Sequence, residues 1–275
     1  MAFGDLTRVN TNIQSMQSLY ELQRSNSELG VRQLRLTTGS RINRAEDDSA
    51  GFSIASKLES RIRGQAQALA NIGDAKSMLS ISEGSLNTIQ EILMTMKEKV
   101  IQGANDTLGS FERRLIDNQL TALSSEIDSI ISSTTFNGVT IFSTGAFSFQ
   151  VGAASGDTFS VTVGAFSTGM LSVAAADLAV GSAASANASL ANIDAAINTI
   201  ASTLGTLGDN QLALTFKEEN LNINKINQDS ARSRIADADF AKEQIEIVKL
   251  QILQQTGLAA VSQANLAPQV VLSLL

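Results

Sequence analysis

A seven-residue apolar repeat runs through the first half of the chain. Leu58, Ile72, Leu79, Leu86, Leu93 and Val100 share one heptad position, and only Gln65 interrupts them. Ile89 and Met96 fill the partner position, three residues on. Apolar side chains at this period, sustained this long, pack a helix lengthwise against another helix. A continuous helix from Ile54 to Val100 would be about 70 Å long at the standard rise. A compact globule has no use for such a helix, so an elongated rod is expected. Gly64, Gly73 and Gly84 lie inside the run, and each costs about 1 kcal/mol relative to Ala. Packing, such as close helix approach, is expected to hold them.

Further helical stripes flank this one. Leu6, Val9, Ile13, Met16 and Tyr20 recur at three-four spacing, in a first helical segment from about Leu6 to Leu36. Thr37-Thr38-Gly39-Ser40 then breaks the pattern with turn residues. Asp47 or Asp48 is suited to cap the long helix, since carboxylates favour a helix start. Ile116, Leu120, Leu123, Ile127 and Ile130 predict a third helix, with Ser110 as its cap and its end near Thr134. From Ser182 the heptads return in Leu190, Ile193, Ile197, Ile200, Leu204, Leu207, Leu214 and Leu221. The last segment sets Ile245, Val248, Ile252, Ala259 and Leu266 on one face and closes with Val270 to Leu275. Between these helices, about 136–170, lies a small β region. It holds the Asn137-Gly138 turn signal and the alternating runs Phe147–Val151 and Thr158–Val163.

Composition removes whole classes of chemistry. The 275 residues include no His, Cys or Trp, one Tyr and one Pro. Without His and Cys there is no imidazole base, no thiolate nucleophile, no disulfide and no zinc site of the usual kind. No cofactor or metal is expected, and no catalysis. A net charge of −7 argues against binding nucleic acid or anionic membranes. No apolar run is long enough to cross a bilayer, and residues 1–8 lack the apolar core of a signal peptide. The chain is expected to stay in the cytoplasm or to leave by a route that needs no cleaved signal.

Local motifs spread over nearly the whole chain resemble bacterial flagellin. They are Leu36-Thr37-Thr38-Gly39-Ser40-Arg41-Ile42-Asn43, Asp47-Asp48-Ser49-Ala50-Gly51, Phe136-Asn137-Gly138-Val139 and Phe149-Gln150-Val151-Gly152-Ala153. Toward the other end come Ala231-Arg232-Ser233-Arg234-Ile235, Asp239-Phe240-Ala241, Ile252-Leu253-Gln254-Gln255, Gln263-Ala264-Asn265 and the run from Pro268 to Leu275. The resemblance implies a self-assembling filament subunit whose terminal helices pair as a coiled coil. It implies export through the flagellar type III apparatus with a secretion chaperone, and an extracellular location. Gly164 to Gly181 is short, which implies a form without outer variable domains. A hook-filament junction protein with flagellin-like ends is the alternative. In some flagellins an innate immune receptor contacts an Arg, a Leu and a Glu at positions that hold Thr95, Lys99 and Gln119 here. The resemblance does not carry that recognition over.

The expected architecture is mainly α: an elongated antiparallel helical bundle or coiled coil with a small β-hairpin region, built as a discontinuous two-domain rod. Residues 1–46 with 236–275 form the terminal coiled-coil domain, and 47–235 the rod domain. The inner heptads are expected to make the subunit's own core. A lone terminal helix is too narrow to bury its apolar face, so the outer stripes are expected to meet neighbouring copies. The expected polymerisation residues are Leu6, Val9, Ile13, Met16, Tyr20, Arg41, Asn43, Asp47, Asp48, Ile245, Val248, Ile252, Gln255, Leu266, Leu272 and Leu275.

Overall fold

The computed structural model describes residues 11–143 and 146–272. The fold is mainly α. In order it contains α1 (Ile13–Thr38), α2 (Ser49–Gly103), α3 (Ser110–Ser133), β1 (Thr135–Phe136), β2 (Val139–Thr140), β3 (Phe147–Gln150), β4 (Thr158–Val161), α4 (Ala183–Ala236) and α5 (Phe240–Leu272). The chain divides into two compact units. One joins Met1–Ser60 to Asn227–Leu275, and the other is Arg61–Ile226.

The Arg61–Ile226 unit holds the heptad core. Ile72, Leu79, Leu86, Leu93, Met96 and Val100 of α2 are fully buried. They share one core with Ile193, Ile200, Leu207 and Leu214 of α4 and Ile116, Leu120 and Ile127 of α3. Lys97 pairs with Asp194, and Lys76 with Glu218. The pairs run in opposite order along the two helices, so α2 and α4 are antiparallel. Gln65, the polar heptad position, is buried, and its amide oxygen has no hydrogen-bond partner.

The glycines of α2 do not all behave as expected. A Cβ on Gly64 would lie 3.1 Å from that of Ala153, so a loop, not a helix, approaches there. Gly73 and Gly84 have nothing within 4 Å of that position. No close approach holds these two; the packing of the rest of the fifty-five-residue helix offsets their cost. Nor does Ser110 cap α3. The cap position is Gly109, and Ser110 is the first helical residue.

The β region is two antiparallel hairpins, β1–β2 and β3–β4. Asn137 and Gly138 turn the first, with φ of 50° and 78°. A two-residue hairpin turn of this kind needs positive φ at both positions, which Asn and Gly tolerate best. Strand pairing stops at Val161, short of the 136–170 expected, because residues 162–182 are tied to helices by side chains instead. Thr168 Oγ1 donates to Asp128 at 2.8 Å, and the Val180 N–H donates to Asp117 at 2.9 Å. Phe142 is fully buried and meets Phe166 edge to face, with centroids 5.7 Å apart.

Candidate assembly interface

In the unit built from both chain ends, α1 and α5 lie side by side through a seam that mixes apolar residues with small and polar ones. Asn12 caps α1 by accepting the Ser15 N–H at 3.0 Å. The half-buried residues of α1 are Ser15, Ser18, Leu22, Ser25, Leu29, Arg32, Arg35 and Leu36; none is fully buried. Opposite them α5 offers Glu243, Ile247, Leu250, Gln254, Gly257, Val261 and Ala264, again at three-four spacing. The approach is close: a Cβ on Gly257 would lie 3.3 Å from Leu22 Cδ1.

Polar contacts fix the register of this seam at both ends. Asn12 Nδ2 donates to the Ala264 carbonyl at 2.7 Å, and Ser15 Oγ lies 2.7 Å from Asn265 Oδ1. At the other end Arg32 Nη1 reaches both oxygens of Glu243, at 3.1 and 3.0 Å. Arg35 stands 3.8 Å from the same carboxylate, which is only 4 % exposed. A carboxylate this deep in the seam survives because two guanidinium groups compensate its lost hydration. Sequence reading missed this cluster. Its one signal is phase: Arg32 continues the seven-residue row of Ser18 and Ser25, not the row of Met16.

That phase leaves a second set of long apolar side chains outside. Ile13, Met16, Tyr20, Ile245, Val248, Ile252 and Leu266 are between 45 % and 68 % exposed. Gln255 is exposed beside them. Leu19, Leu253 and Leu258 are further exposed apolar residues on the same two helices. Leu6, Val9 and Leu275 lie outside the described residues, as does the side chain of Leu272, where α5 ends. A soluble two-helix pair normally buries its apolar stripe in the seam. Here the seam covers one apolar set, Leu22, Leu29, Leu36, Ile247 and Leu250, among small and polar residues, and a second apolar stripe on each helix faces outward.

Arg41, Asn43, Asp47 and Asp48, also expected at an interface, are engaged within the chain. The segment after α1 crosses to the end of α4. The Gly39 carbonyl accepts the Ala238 N–H at 2.9 Å, and the Arg41 N–H donates to the Ala236 carbonyl at 2.6 Å. The Arg41 guanidinium also donates to the Ile235 carbonyl at 2.6 Å and lies 3.6 Å from Asp48. Asp48 caps α2 by accepting the Gly51 N–H at 2.9 Å. Asn43 Nδ2 donates to the Ser40 carbonyl at 2.8 Å. Asp47 accepts the Asn43 and Arg44 N–H groups, each at 2.9 Å. Those bonds, the Arg44 one first, hold its carboxyl below the usual carboxylate range. Asp48 therefore caps α2, and Asp47 ties the turn that precedes it.

Residues 9–146 match the model of the bacterial flagellin N-terminal helical region, and residues 190–275 that of the C-terminal helical region. The chain belongs to the bacterial flagellin family. Flagellin FlaB1 of Treponema pallidum (strain Nichols) is 32 % identical over 97 % of this chain and 99 % of its own. The flagellin of Bacillus subtilis (strain 168) is 32 % identical over 98 % and 99 %. Among solved structures, Bacillus cereus flagellin aligns with a TM-score of 0.49 and 28 % identity, over 55 % of this chain and 88 % of that one. A putative flagellar hook-associated protein from Vibrio parahaemolyticus gives 0.58 at 19 % identity, over 70 % and 100 %. That second likeness is one of fold, so it lends no weight to the junction-protein alternative. As a flagellin, this chain is a structural subunit of the flagellar filament, a polymer of one repeated subunit that serves motility, and the family is not enzymatic.

Proposed function

We propose that the outward apolar stripes of α1 and α5 are the surfaces through which copies of this flagellin polymerise. Ile13, Met16 and Tyr20 on one helix and Ile245, Val248, Ile252 and Leu266 on the other form those stripes, and Leu6, Val9, Leu272 and Leu275 extend them in sequence. The observation that carries the reading is that each helix, with its seam side already covered, still presents a second set of long apolar side chains to solvent. Each such side chain is roughly half exposed in the subunit, so covering it contributes about 1 kcal/mol. The seven described ones together favour assembly even after ordering costs.

Residues 1–46 with 236–275 are the terminal pairing domain in this reading, and 47–235 the rod. Arg41, Asn43, Asp47 and Asp48 act by holding the crossing that presents α1 beside α5. Membership in the family supports export through the flagellar apparatus with a secretion chaperone and no cleaved signal, and a place outside the cell. The absence of cysteine is compatible with passage as an unfolded chain.

Deleting the residues after Pro268 tests the reading. The truncated chain is expected to stay soluble and largely helical by circular dichroism, and to form no filaments in salt-seeded electron micrographs. Normal filaments from it would sink the proposal.

A further inference from the structure

The first hairpin turns on the one Asn-Gly pair in the chain, Asn137 and Gly138. That pair carries reactive chemistry as well as a turn preference. When the Gly138 backbone nitrogen bonds to Asn137 Cγ, a five-membered succinimide closes. The bond from Cγ to the side-chain nitrogen breaks, and that nitrogen leaves as ammonia with the proton of the Gly138 amide. Water then opens the ring at one carbonyl or the other, leaving Asp or isoaspartate. Glycine favours the attack because no Cβ stands beside its nitrogen. Both residues are exposed, and a Cβ on Gly138 would meet nothing within 4 Å, so water reaches the pair freely.

Backbone geometry, not burial, protects it. Asn137 has a φ of 50° and Gly138 a φ of 78°, the two left-handed values of a type I′ turn. In the left-handed region the Cβ of a residue lies beside its own carbonyl oxygen. The next nitrogen, across the carbonyl carbon, then points away from that Cβ. At a type I′ ψ of about 30° the Gly138 nitrogen is rotated roughly 150° from the Asn137 Cβ, whereas ring closure needs the two almost eclipsed. Reaching that arrangement breaks the hairpin. Phe136 pairs with Val139 and Thr135 with Thr140, and the Ile141 N–H donates to the Thr134 carbonyl at 3.1 Å. Ile141 and Phe142, which follow at once, are fully buried. The core therefore holds the turn shut.

We propose that Asn137 is a self-modification site, silent in the folded chain and converted to isoaspartate and Asp while the hairpin is open. The residue thereby records the time a chain spends without this turn. The proposal stands apart from the assembly reading above. Isoaspartate carries the main chain through Cβ and makes it one atom longer. A two-residue turn then no longer matches the strand register, and Ile141 loses its bond to Thr134.

The test uses the full chain, incubated at mildly alkaline pH in buffer and in guanidinium chloride. Mass spectrometry of the peptide carrying residue 137 reads the amide-to-acid conversion, and an isoaspartate methyltransferase labels the isomer. Conversion is expected to be at least ~tenfold faster in denaturant, because the folded chain reacts only through its opened fraction. Comparable rates, or no conversion in either solution, overturn the proposal. In a second arm, Val139→Pro removes the Val139 N–H and disfavours the turn conformation at Gly138, while the attacking nitrogen stays. Conversion in buffer is expected to rise toward the denatured rate; a rate equal to that of the wild-type chain overturns the protective role of the turn. In a third arm, aged chains are refolded and compared with Asn137→Asp, which has the acid without the extra main-chain atom. Faster amide exchange at Ile141 is expected in the isoaspartate chains alone, and equal exchange overturns the predicted loss of register.

Discussion

Glu243 is the charged side chain with the least freedom among the described residues. It is buried in the α1–α5 seam between Arg32 and Arg35, which are the partners of its carboxylate there. Glu243→Ala strands two guanidinium groups in the seam and is expected to cost about 2–4 kcal/mol of helix pairing. Faster amide exchange along α1, with the α2–α4 core unchanged, is the readout. Asp47 makes a pH prediction. Its carboxyl is depressed by backbone N–H groups. Its stabilising effect is therefore complete above the usual carboxylate range and is lost as pH falls through the lower folded value. Asp47→Asn is expected to flatten the acid limb of the stability curve for the 43–47 turn, read by comparing amide exchange there in acid and at neutral pH. The two residues differ in how far sequence reveals them. A capping role for Asp47 or Asp48 follows from short-range chemistry, and the structure gives it to Asp48, while Asp47 holds the 43–47 turn. The partner of Arg32 lies 211 residues away, and no local pattern encodes that register.

At the scale of elements, periodicity was a good guide and punctuation a poor one. Ile72, Leu79, Leu86 and Leu93 illustrate the first, for they are buried at the seven-residue spacing that predicts them. Gly73 and Gly84 illustrate the second, since two residues that weaken a helix lie open within one that continues past them. Tertiary packing along the whole of α2 outweighs about 1 kcal/mol at each. Strand ends were also unreadable, because Val163 keeps its place in the core after β4 has ended at Val161. The polar break at Gln65 is the element's weak point. Its amide oxygen is buried without a partner, so Gln65→Leu is expected to stabilise the chain by about 1–2 kcal/mol. A rise in denaturation midpoint with an unchanged denaturant slope is the expected signature. A fall would show that the amide has a role beyond filling the heptad position.

For the molecule as a whole, the family was legible because many short motifs keep their order from end to end, and no single one was needed. What sequence left unread is which face of each terminal helix looks inward. Stripe and seam both recur at three-four spacing on α1 and α5, and only the structure shows which set is the seam. The outward stripes have a thermal consequence. Contacts made by covering apolar surface draw on water entropy near room temperature and weaken on cooling, whereas the α1–α5 seam is also held by the Arg32–Glu243 ion pair, which does not draw on that term. Chilled filaments are therefore expected to shed subunits whose α1 and α5 are still paired. Cold sets the polymer's lower working limit before it touches the subunit.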